Sequence, residues 1–501
     1  MVYGFSPFGY DGSLVQVEVD LRRGIPAVDI VGLADGSVAG SRERVRSAIL
    51  NSNLEFPQER VLIALSPADL KKEGAIFDLP VALGVLEAQY GLELNDDVLV
   101  MGELSLNGEV RGVRGVYAAL QSALENGIQY AIVPESMDID VPYGIKVKTV
   151  KNITEAYFAL CDLAQNYYET FKLLQNTVND DGIKFTDLQN DEPDIDTVKG
   201  HEGLKYAMTV AVAGRHNIMA FGSPGSGKPL VLGHMNEILP DLTKNESESV
   251  KRVYSLAGLY SKHITKRPFR MPYQTTSLEG MCGGGLNVRP GEITLAHNGV
   301  LFLDEAAEFR SSVLQMIRVP LESGYITLSR AGRSTVYPAR FQLAMTTNSC
   351  PCGFYGDKDR MCLCSAHSVE NYWKKFSSPL LDRIGIRYNM NNPIEAKSYT
   401  LKEMREMIKR AWERQFARHG KLNQDLTPDE LVNIKFSKDA ELKLNEIAER
   451  NGYSVRTLAN LRKIARTIAD MSEEEREEVT LEDVLTAEKL HGSTPLDVLN
   501  G

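Results

Sequence analysis

The sequence predicts an α/β protein in three parts: an N-terminal α+β domain, a central αβα domain and a helical C-terminal domain. Three observations carry this. The apolar run Asn217-Ile218-Met219-Ala220 feeds the loop Phe221-Gly222-Ser223-Pro224-Gly225-Ser226-Gly227-Lys228, and Leu230-Val231-Leu232 follow, which reads strand, glycine-rich loop, helix. Gly299-Val300-Leu301-Phe302-Leu303 is a second apolar strand, and it ends in two carboxylates, Asp304 and Glu305. From about residue 392 the chain becomes helical and charged. The expected parts are residues 1–165, 196–391 and 392–501, with a linker at 166–195.

Composition narrows the class. At 501 residues the chain is too long for one ordinary core. With 43% hydrophobic and 25% charged residues it sits near the average of folded proteins. No apolar run approaches the roughly 18 residues that a membrane span needs. The start, Met1-Val2-Tyr3-Gly4, lacks a basic n-region and an apolar h-region, so the expected location is the cytoplasm, with no membrane partner. A net charge of −11 argues against a globally basic nucleic-acid binder but hides any local basic patch inside a ring or groove. Six cysteines in so long a chain do not make a disulfide scaffold, and four of them cluster.

In the N-terminal part, Val15-Gln16-Val17-Glu18-Val19 and Val61-Leu62-Ile63-Ala64-Leu65 read as strands, and 41–50 as a helix opened by the cap-competent Ser41. Gly102-Glu103-Leu104-Ser105-Leu106-Asn107-Gly108-Glu109-Val110 with Gly112 and Gly115, and Pro67-Ala68-Asp69 through Lys72-Glu73-Gly74, resemble Lon-type serine protease domains. The resemblance implies that fold without its chemistry. Ile76 stands where the family keeps its nucleophilic Ser, and Val116 and Tyr117 lie near its Lys. A nucleophile needs a hydroxyl or ionisable group activated by a base, so this Lon-protease-like domain is expected to be inactive. Residues 166–195 are rich in Asn and Asp, with Pro193 and few aliphatics, as suits a linker.

The glycine-rich loop has the G-x-x-x-x-G-K spacing of a phosphate-binding P-loop. Its glycines let backbone N–H groups wrap an anion at a helix N-terminus, and Lys228 reaches the β- and γ-phosphates. The expected ATP-binding residues are Gly222, Ser223, Pro224, Gly225, Ser226, Gly227, Lys228 and Pro229. Pro229 departs from the pattern. It stands where a Ser or Thr hydroxyl should bind Mg²⁺, offers neither hydroxyl nor N–H, and disfavours the helical conformation at Lys228. Nucleotide binding follows from this loop; efficient hydrolysis does not. Asp304 is placed to hold Mg²⁺ and Glu305 to polarise the attacking water, as in a Walker B strand. Phe341-Gln342-Leu343-Ala344-Met345-Thr346-Thr347-Asn348 forms a third strand whose tip, Asn348, is placed to orient water against the γ-phosphate. A buried strand with a solvated acidic end and an Asn at a turn fit the same residues.

Tyr325-Ile326-Thr327-Leu328-Ser329-Arg330-Ala331-Gly332-Arg333-Ser334-Thr335-Val336-Tyr337 reads as two strands around a Gly-containing turn, with Arg330 and Arg333 near the tip. Projecting into the pore of a ring, such a hairpin would meet DNA phosphates through sequence-independent, salt-sensitive contacts; a solvated basic hairpin is the alternative. Cys350, Cys352, Cys362 and Cys364 form two C-x-C pairs that could close a tetrahedral Zn²⁺ site bracing the chain just after Asn348. C-x-C is a less specific signal than C-x-x-C, and a cluster without metal stays open. Farther on, 401–418, 439–450 and 457–471 carry apolar residues at helical spacing, and the acidic 472–478 reads as a solvated helix start or loop.

These segments, together with Arg267-Pro268-Phe269-Arg270, Gly283-Gly284-Gly285, Arg289-Pro290-Gly291-Glu292-Ile293 and Leu295-Ala296-His297-Asn298, resemble the magnesium-chelatase-like AAA+ proteins of the ComM (YifB) type over nearly the whole chain. Asn348 then resembles a sensor 1 residue. Ser378-Pro379-Leu380-Leu381-Asp382-Arg383 resembles the segment carrying an arginine finger, and Ser454-Val455-Arg456 the place of sensor 2. The resemblance implies that Arg383 and Arg456 complete a nucleotide site shared between subunits, where an Arg in trans neutralises transition-state charge; a surface arginine in a local salt bridge is the alternative for each. It also implies a ring-forming ATPase, a hexamer, working on DNA as a helicase or translocase in branch migration during uptake of foreign DNA, under a small helical lid. A second departure is Ala306-Ala307, where relatives carry Leu-Pro. Two other functions fit the same sequence. One is a nucleotide-binding scaffold with little turnover because of Pro229; the other is a chelatase-type remodelling ATPase. Fold alone does not choose among them.

Overall fold

A computed structural model describes residues 1–32, 36–68, 70, 72, 74–137, 140–173, 182–186, 194–259, 264–285, 288–330 and 333–500. The N-terminal domain is built on an eight-stranded mixed sheet. Its strand Val2–Ser6 pairs antiparallel with Ser13–Arg22 and parallel with Val98–Val100. The helix Asp78–Tyr90 lies against this sheet and is buried from Asp78 through Leu86, as a helix apolar on all sides must be. Gly84 permits the approach: a Cβ there would lie 3.1 Å from Cγ1 of Val17. The strands expected around Val17 and Ile63 are present as Ser13–Arg22 and Arg60–Ser66.

The helix expected from Ser41 starts earlier, spanning Gly36–Asn51. Ser41 is therefore interior and caps nothing; its hydroxyl donates to the carboxylate of Asp78. Asp78 is wholly buried and takes two further hydrogen bonds, of 2.8 and 3.0 Å, from Arg44. A buried carboxylate left short of partners is costly, so the hydroxyl is worth more there than at a helix end.

The sheet also runs past residue 165. Lys172–Leu173 adds an edge strand against Lys146–Val150, and Tyr168 stacks on Tyr130 at 5.0 Å between ring centroids. Within the expected linker, Asn176, Asn179, Asp180, Asp181, Asn190, Asp191, Glu192 and Pro193 lie outside the described residues, as do Asp69 and Glu73 farther upstream. Ile183 and Phe185 pack on the core of the central domain.

That core is organised by five parallel strands: β1 (Ile218–Gly222), β2 (Phe269–Arg270), β3 (Val300–Leu303), β4 (Gln342–Asn348) and β5 (Ile386–Asn389), in the order β2-β3-β4-β1-β5. β1 and β3 are buried throughout, which is why they read as unbroken apolar runs. In an open parallel sheet, ligands bind beyond the carboxyl ends of the strands, and here β1, β3 and β4 end side by side.

The helices expected near 401–418, 439–450 and 457–471 are found at Leu401–His419, Lys438–Asn451 and Val455–Met471, and the acidic 472–478 is a loop. They are not a separate core. Ile218, Ala220, Val300 and Phe302 of the sheet share one buried apolar cluster with Leu444, Ile464 and Leu490. Trp412 and Gln415 of Leu401–His419 donate to the carbonyls of Val212 and Ala213 on the helix Glu202–Gly214, at 3.2 and 2.8 Å. No described helix is long and apolar enough to cross a membrane.

Candidate functional site

Beyond β1 the chain turns sharply, because Gly225 (φ 75°) and Gly227 (φ 73°) adopt left-handed backbone that glycine reaches without strain. Lys228 then opens a helix of five residues, Lys228–Leu232. Pro229 does not displace Lys228 from helical conformation, contrary to its usual effect. It occupies the second helical position, where its missing N–H would have had no intrahelical partner and no preceding turn exists for its ring to strike.

The Lys228 ammonium donates to the carbonyls of Gly222 (3.0 Å) and Ser223 (2.8 Å), reaches Ser226 Oγ at 3.3 Å, and lies 3.5 Å from Oδ1 of Asn348. Burial draws its pKa down to about 8, against the opposing pull of Asp304 and Glu305.

The two carboxylates stand past the end of β3. Thr346 of β4 holds both residues: its hydroxyl donates to Asp304 Oδ1 at 2.5 Å and accepts from the Glu305 N–H at 3.0 Å. Glu305 has φ 51°, an uncommon conformation for a residue with a side chain, and its carboxylate accepts from Gln274 Nε2 at 2.7 Å. Since Leu303 is level with Met345 and Gly222 with Asn348, the P-loop, Asn348 and the carboxylates gather at one edge of the sheet. The Asp304 carboxylate is a hard oxygen donor of the kind Mg²⁺ takes, with the Thr346 hydroxyl on it, while Pro229 adds nothing. Thr346 could have been suspected, as it lies two residues before Asn348 and shares its face of the strand. Nothing in the sequence marks Gln274.

Arg383 and Arg456 are elsewhere. The Arg383 carbonyl accepts from Asn217 Nδ2 at 2.8 Å, and Asn217 precedes β1, at the opposite end from the P-loop. Both arginines converge on Glu322: Arg383 as a close ion pair, Arg456 at 3.0 Å. They line a cavity of ≈ 890 Å³ with Arg462, Lys463, Val432 and Val455. Within one chain, then, neither joins the P-loop.

The four clustered cysteines do come together, with all their sulfurs within 4.8 Å of one another. Cys350 and Cys352 are 3.3 Å apart, and each is 3.6 Å from Cys362. These separations are too long for S–S bonds and close to the roughly 3.8 Å that tetrahedral Zn–S bonds of about 2.3 Å would impose. The backbone N–H of Phe354 draws the Cys352 thiol down to about 6. The donor set fits zinc.

The expected hairpin is formed by Tyr325–Arg330 and Arg333–Pro338, with Arg330 opposite Arg333 at its closing pair. Ala331, Gly332 and the two arginine side chains lie outside the described residues. At its root Tyr337 is buried, donates to the Val288 carbonyl at 2.9 Å and meets Tyr10 edge-on at 6.5 Å. Gly9 is pressed so close that a Cβ would lie 2.1 Å from Thr335 Oγ1. Nearby, Ile76 lines a cavity of ≈ 380 Å³ with Ser6, Glu103, Arg114 and Arg289, and no lysine or histidine is among its described lining residues. Val116 and Tyr117 are buried at the start of the helix Val116–Glu125.

Three family descriptions match the chain: "Subunit ChlI of Mg-chelatase" over residues 17–137, "Magnesium chelatase, subunit ChlI" over 194–398, and "Magnesium chelatase, subunit ChlI C-terminal" over 399–490. The chain is 35% identical over 486 residues to the uncharacterized protein YifB of Escherichia coli (strain K12), covering 94% of this chain and 93% of YifB. The chain belongs to this magnesium-chelatase-like AAA+ family. It is also 34% identical over 494 residues to the competence protein ComM of Haemophilus influenzae, covering 95% and 94% of the two chains. The Archaeal Lon protease of Methanocaldococcus jannaschii is similar at a greater distance, 25% identical over 179 residues, or 32% of this chain and 28% of the protease. That match accords with a Lon-like N-terminal domain.

Proposed function

We propose that this chain binds ATP with Mg²⁺ at the P-loop, hydrolyses it between subunits of a cytoplasmic ring, a hexamer, and uses the turnover to move on DNA as a helicase or translocase. The observation that carries the reading is the gathering of Lys228, Asp304, Glu305 and Asn348 at the ends of three adjacent parallel strands. Lys228 would cradle the phosphates, Glu305 would take up the water proton, and Asn348 would fix that water in line. Thr346 would keep Asp304 turned to the metal. When bound, Mg²⁺ would be held by Asp304 and would supply positive charge against the negative charge developing on the phosphates.

Arg383 and Arg456, standing at the far end of the sheet, fit a role in the neighbouring subunit's site, where a planar guanidinium neutralises the transferring phosphoryl group. The relative named a competence protein supports a role in DNA uptake and recombination, and Arg330 and Arg333, which form the hairpin's closing pair, would contact the phosphates. The N-terminal domain is read as an inactive protease fold, since Ile76 supplies no nucleophile. The four cysteines are read as a structural zinc site.

Pro229 favours a second reading, an ATP-binding scaffold with little turnover, because it offers Mg²⁺ no hydroxyl. The deciding experiment is steady-state ATP hydrolysis with Mg²⁺, with and without single-stranded and branched DNA at low salt, for the native chain and Pro229→Thr. Turnover by the native chain, accelerated by DNA, is expected. Activity confined to Pro229→Thr would establish the scaffold, and turnover indifferent to DNA would favour a chelatase-type remodelling ATPase.

A further inference from the structure

The loop that carries the cysteines does more than follow Asn348: it returns to the P-loop and packs on it. Gly353, at φ 88°, faces Pro224 so closely that a Cβ would lie 2.5 Å from both Cγ and Cδ of the proline ring. The carboxylate of Asp357 accepts from the Ser223 hydroxyl and is itself fixed by the N–H groups of Asp359 (2.8 Å) and Arg360 (3.0 Å). The Tyr355 carbonyl accepts from Asn391 Nδ2 at 3.1 Å, and Asn391 Oδ1 accepts from the N–H (3.2 Å) and hydroxyl (3.0 Å) of Ser223. Residues 353, 355 and 357 all lie between the two cysteine pairs. The same loop thus holds Ser223 and Pro224 at one end and is tied to Asn348 by only Ser349 at the other.

Burial fixes only part of the loop: Cys350 and Gly353 are buried, and Cys352, Tyr355, Cys362 and Cys364 are half-buried against the core. Residues 350–364 contain no helix or strand, and the apolar side chains flanking Cys362, Met361 and Leu363, are 84% and 86% exposed. The stretch from 356 to 361 has little apolar burial to offset its ordering entropy, and four thiolates on one metal ion would close it at both ends.

We propose that Zn²⁺ held by Cys350, Cys352, Cys362 and Cys364 clamps this loop against the P-loop, so that zinc occupancy sets the affinity for nucleotide. The inference rests on the zinc and ATP readings above and adds the coupling between them. With zinc in place, Gly353, Tyr355 and Asp357 hold the first half of the P-loop in its binding shape and the phosphates meet a preorganised cradle. Without it, Ser223 and Pro224 lose their support, and nucleotide must bear the cost of ordering loop and cradle together.

The test measures the zinc content of the purified full chain by elemental analysis and the affinity for a fluorescent ATP analogue with Mg²⁺. Both are measured for the native protein before and after zinc removal by a chelator under reducing conditions, and for Cys362→Ser, Gly353→Ala and Asp357→Ala. About one zinc per native chain is expected, and its removal, or Cys362→Ser, should weaken binding on the order of tenfold, reversed by added Zn²⁺ in the chelated protein. Gly353→Ala and Asp357→Ala leave all four thiolates in place. They should keep the zinc and still lose roughly tenfold in affinity, which separates the clamp from general misfolding. Zinc removed with affinity unchanged overturns the coupling while leaving both site readings intact. A native chain with no zinc overturns the metal, and a native chain that binds no nucleotide overturns the P-loop reading and the proposal with it.

Discussion

Lys228 is held where its charge is least secure. Buried among the carbonyls of Gly222 and Ser223, its ammonium has a pKa near 8 rather than the ordinary 10.5. Phosphates would restore the charge by raising that value, so affinity should be full below about pH 8 and fall as pH rises from there toward the higher pKa of the bound state, by up to tenfold per unit. Titrating the affinity for an ATP analogue from pH 7 to 9.5 checks this; a flat profile would mean that the lysine keeps its proton unaided. Thr346 makes a second case. Thr346→Val retains the shape but removes the hydroxyl that orients Asp304 and supports the strained Glu305, so ATP turnover should fall about ten- to a hundredfold while nucleotide still binds. At this scale the glycine-rich turn and the lysine that opens its helix were legible, because their spacing alone fixes the strand, loop and helix. Gln274 was not, because a side chain that reaches its partner only through the fold leaves no trace in its own neighbourhood.

Among the elements, one buried carboxylate ties the helix Leu401–His419 to Val455–Met471. Asp470 is wholly buried on Val455–Met471, with Arg418 at 2.7 Å, Arg466 at 2.6 Å and Asn423 at 3.0 Å, and the arginines hold its pKa below the ordinary 3.8 in spite of burial. Breaking such a pair strands the remaining charge, so Asp470→Ala should cost roughly 3 to 5 kcal/mol, read as a drop in the denaturant midpoint. Helical spacing exposed these helices to within a residue or two, since their apolar faces repeat faithfully. It could not show that Ser41 lies inside a helix, because the attraction of its hydroxyl to Asp78 is a matter of tertiary contact. Nor could it show that Lys172–Leu173 would leave the polar stretch to finish a sheet, since two residues carry no periodicity.

Over the whole molecule, the seams between parts are closed by neutral histidines. His216 bonds Gln424 (2.9 Å) and Thr467 (2.8 Å) of the helical region, with Lys463 as its charged neighbour. His491 bonds the Gly385 carbonyl at 2.8 Å, with Arg387 and Asp497 beside it. His297 accepts from the Arg340 N–H at 3.1 Å and reaches Ser249 at 3.0 Å, which in turn bonds Tyr10 of the N-terminal domain; Arg340, Glu246, Arg215 and Arg267 surround it. Burial takes all three from 6.5 to about 4. Their folded values lie below the unfolded one, so stability is intact above pH 6.5 and is lost as pH falls from there toward 4, by up to roughly 3 kcal/mol each. Thermal unfolding should therefore be level from pH 8 to 6.5 and slide to lower temperature between pH 6 and 4; a level curve through pH 5 would refute it. The docking of parts was illegible in sequence, since a lone histidine gives no sign of what will surround it.

The contact of Gly9 with Thr335 has a mechanical consequence. With no room for even a methyl group between them, the basic hairpin cannot tilt about its root without dragging residues 6–10, and Ser6, Pro7 and Phe8 form a wall of the cavity where Ile76 sits. The cavity and the hairpin are thereby joined through one short segment: a displacement of the hairpin root would widen or pinch the cavity, and a molecule lodged in the cavity would resist that displacement.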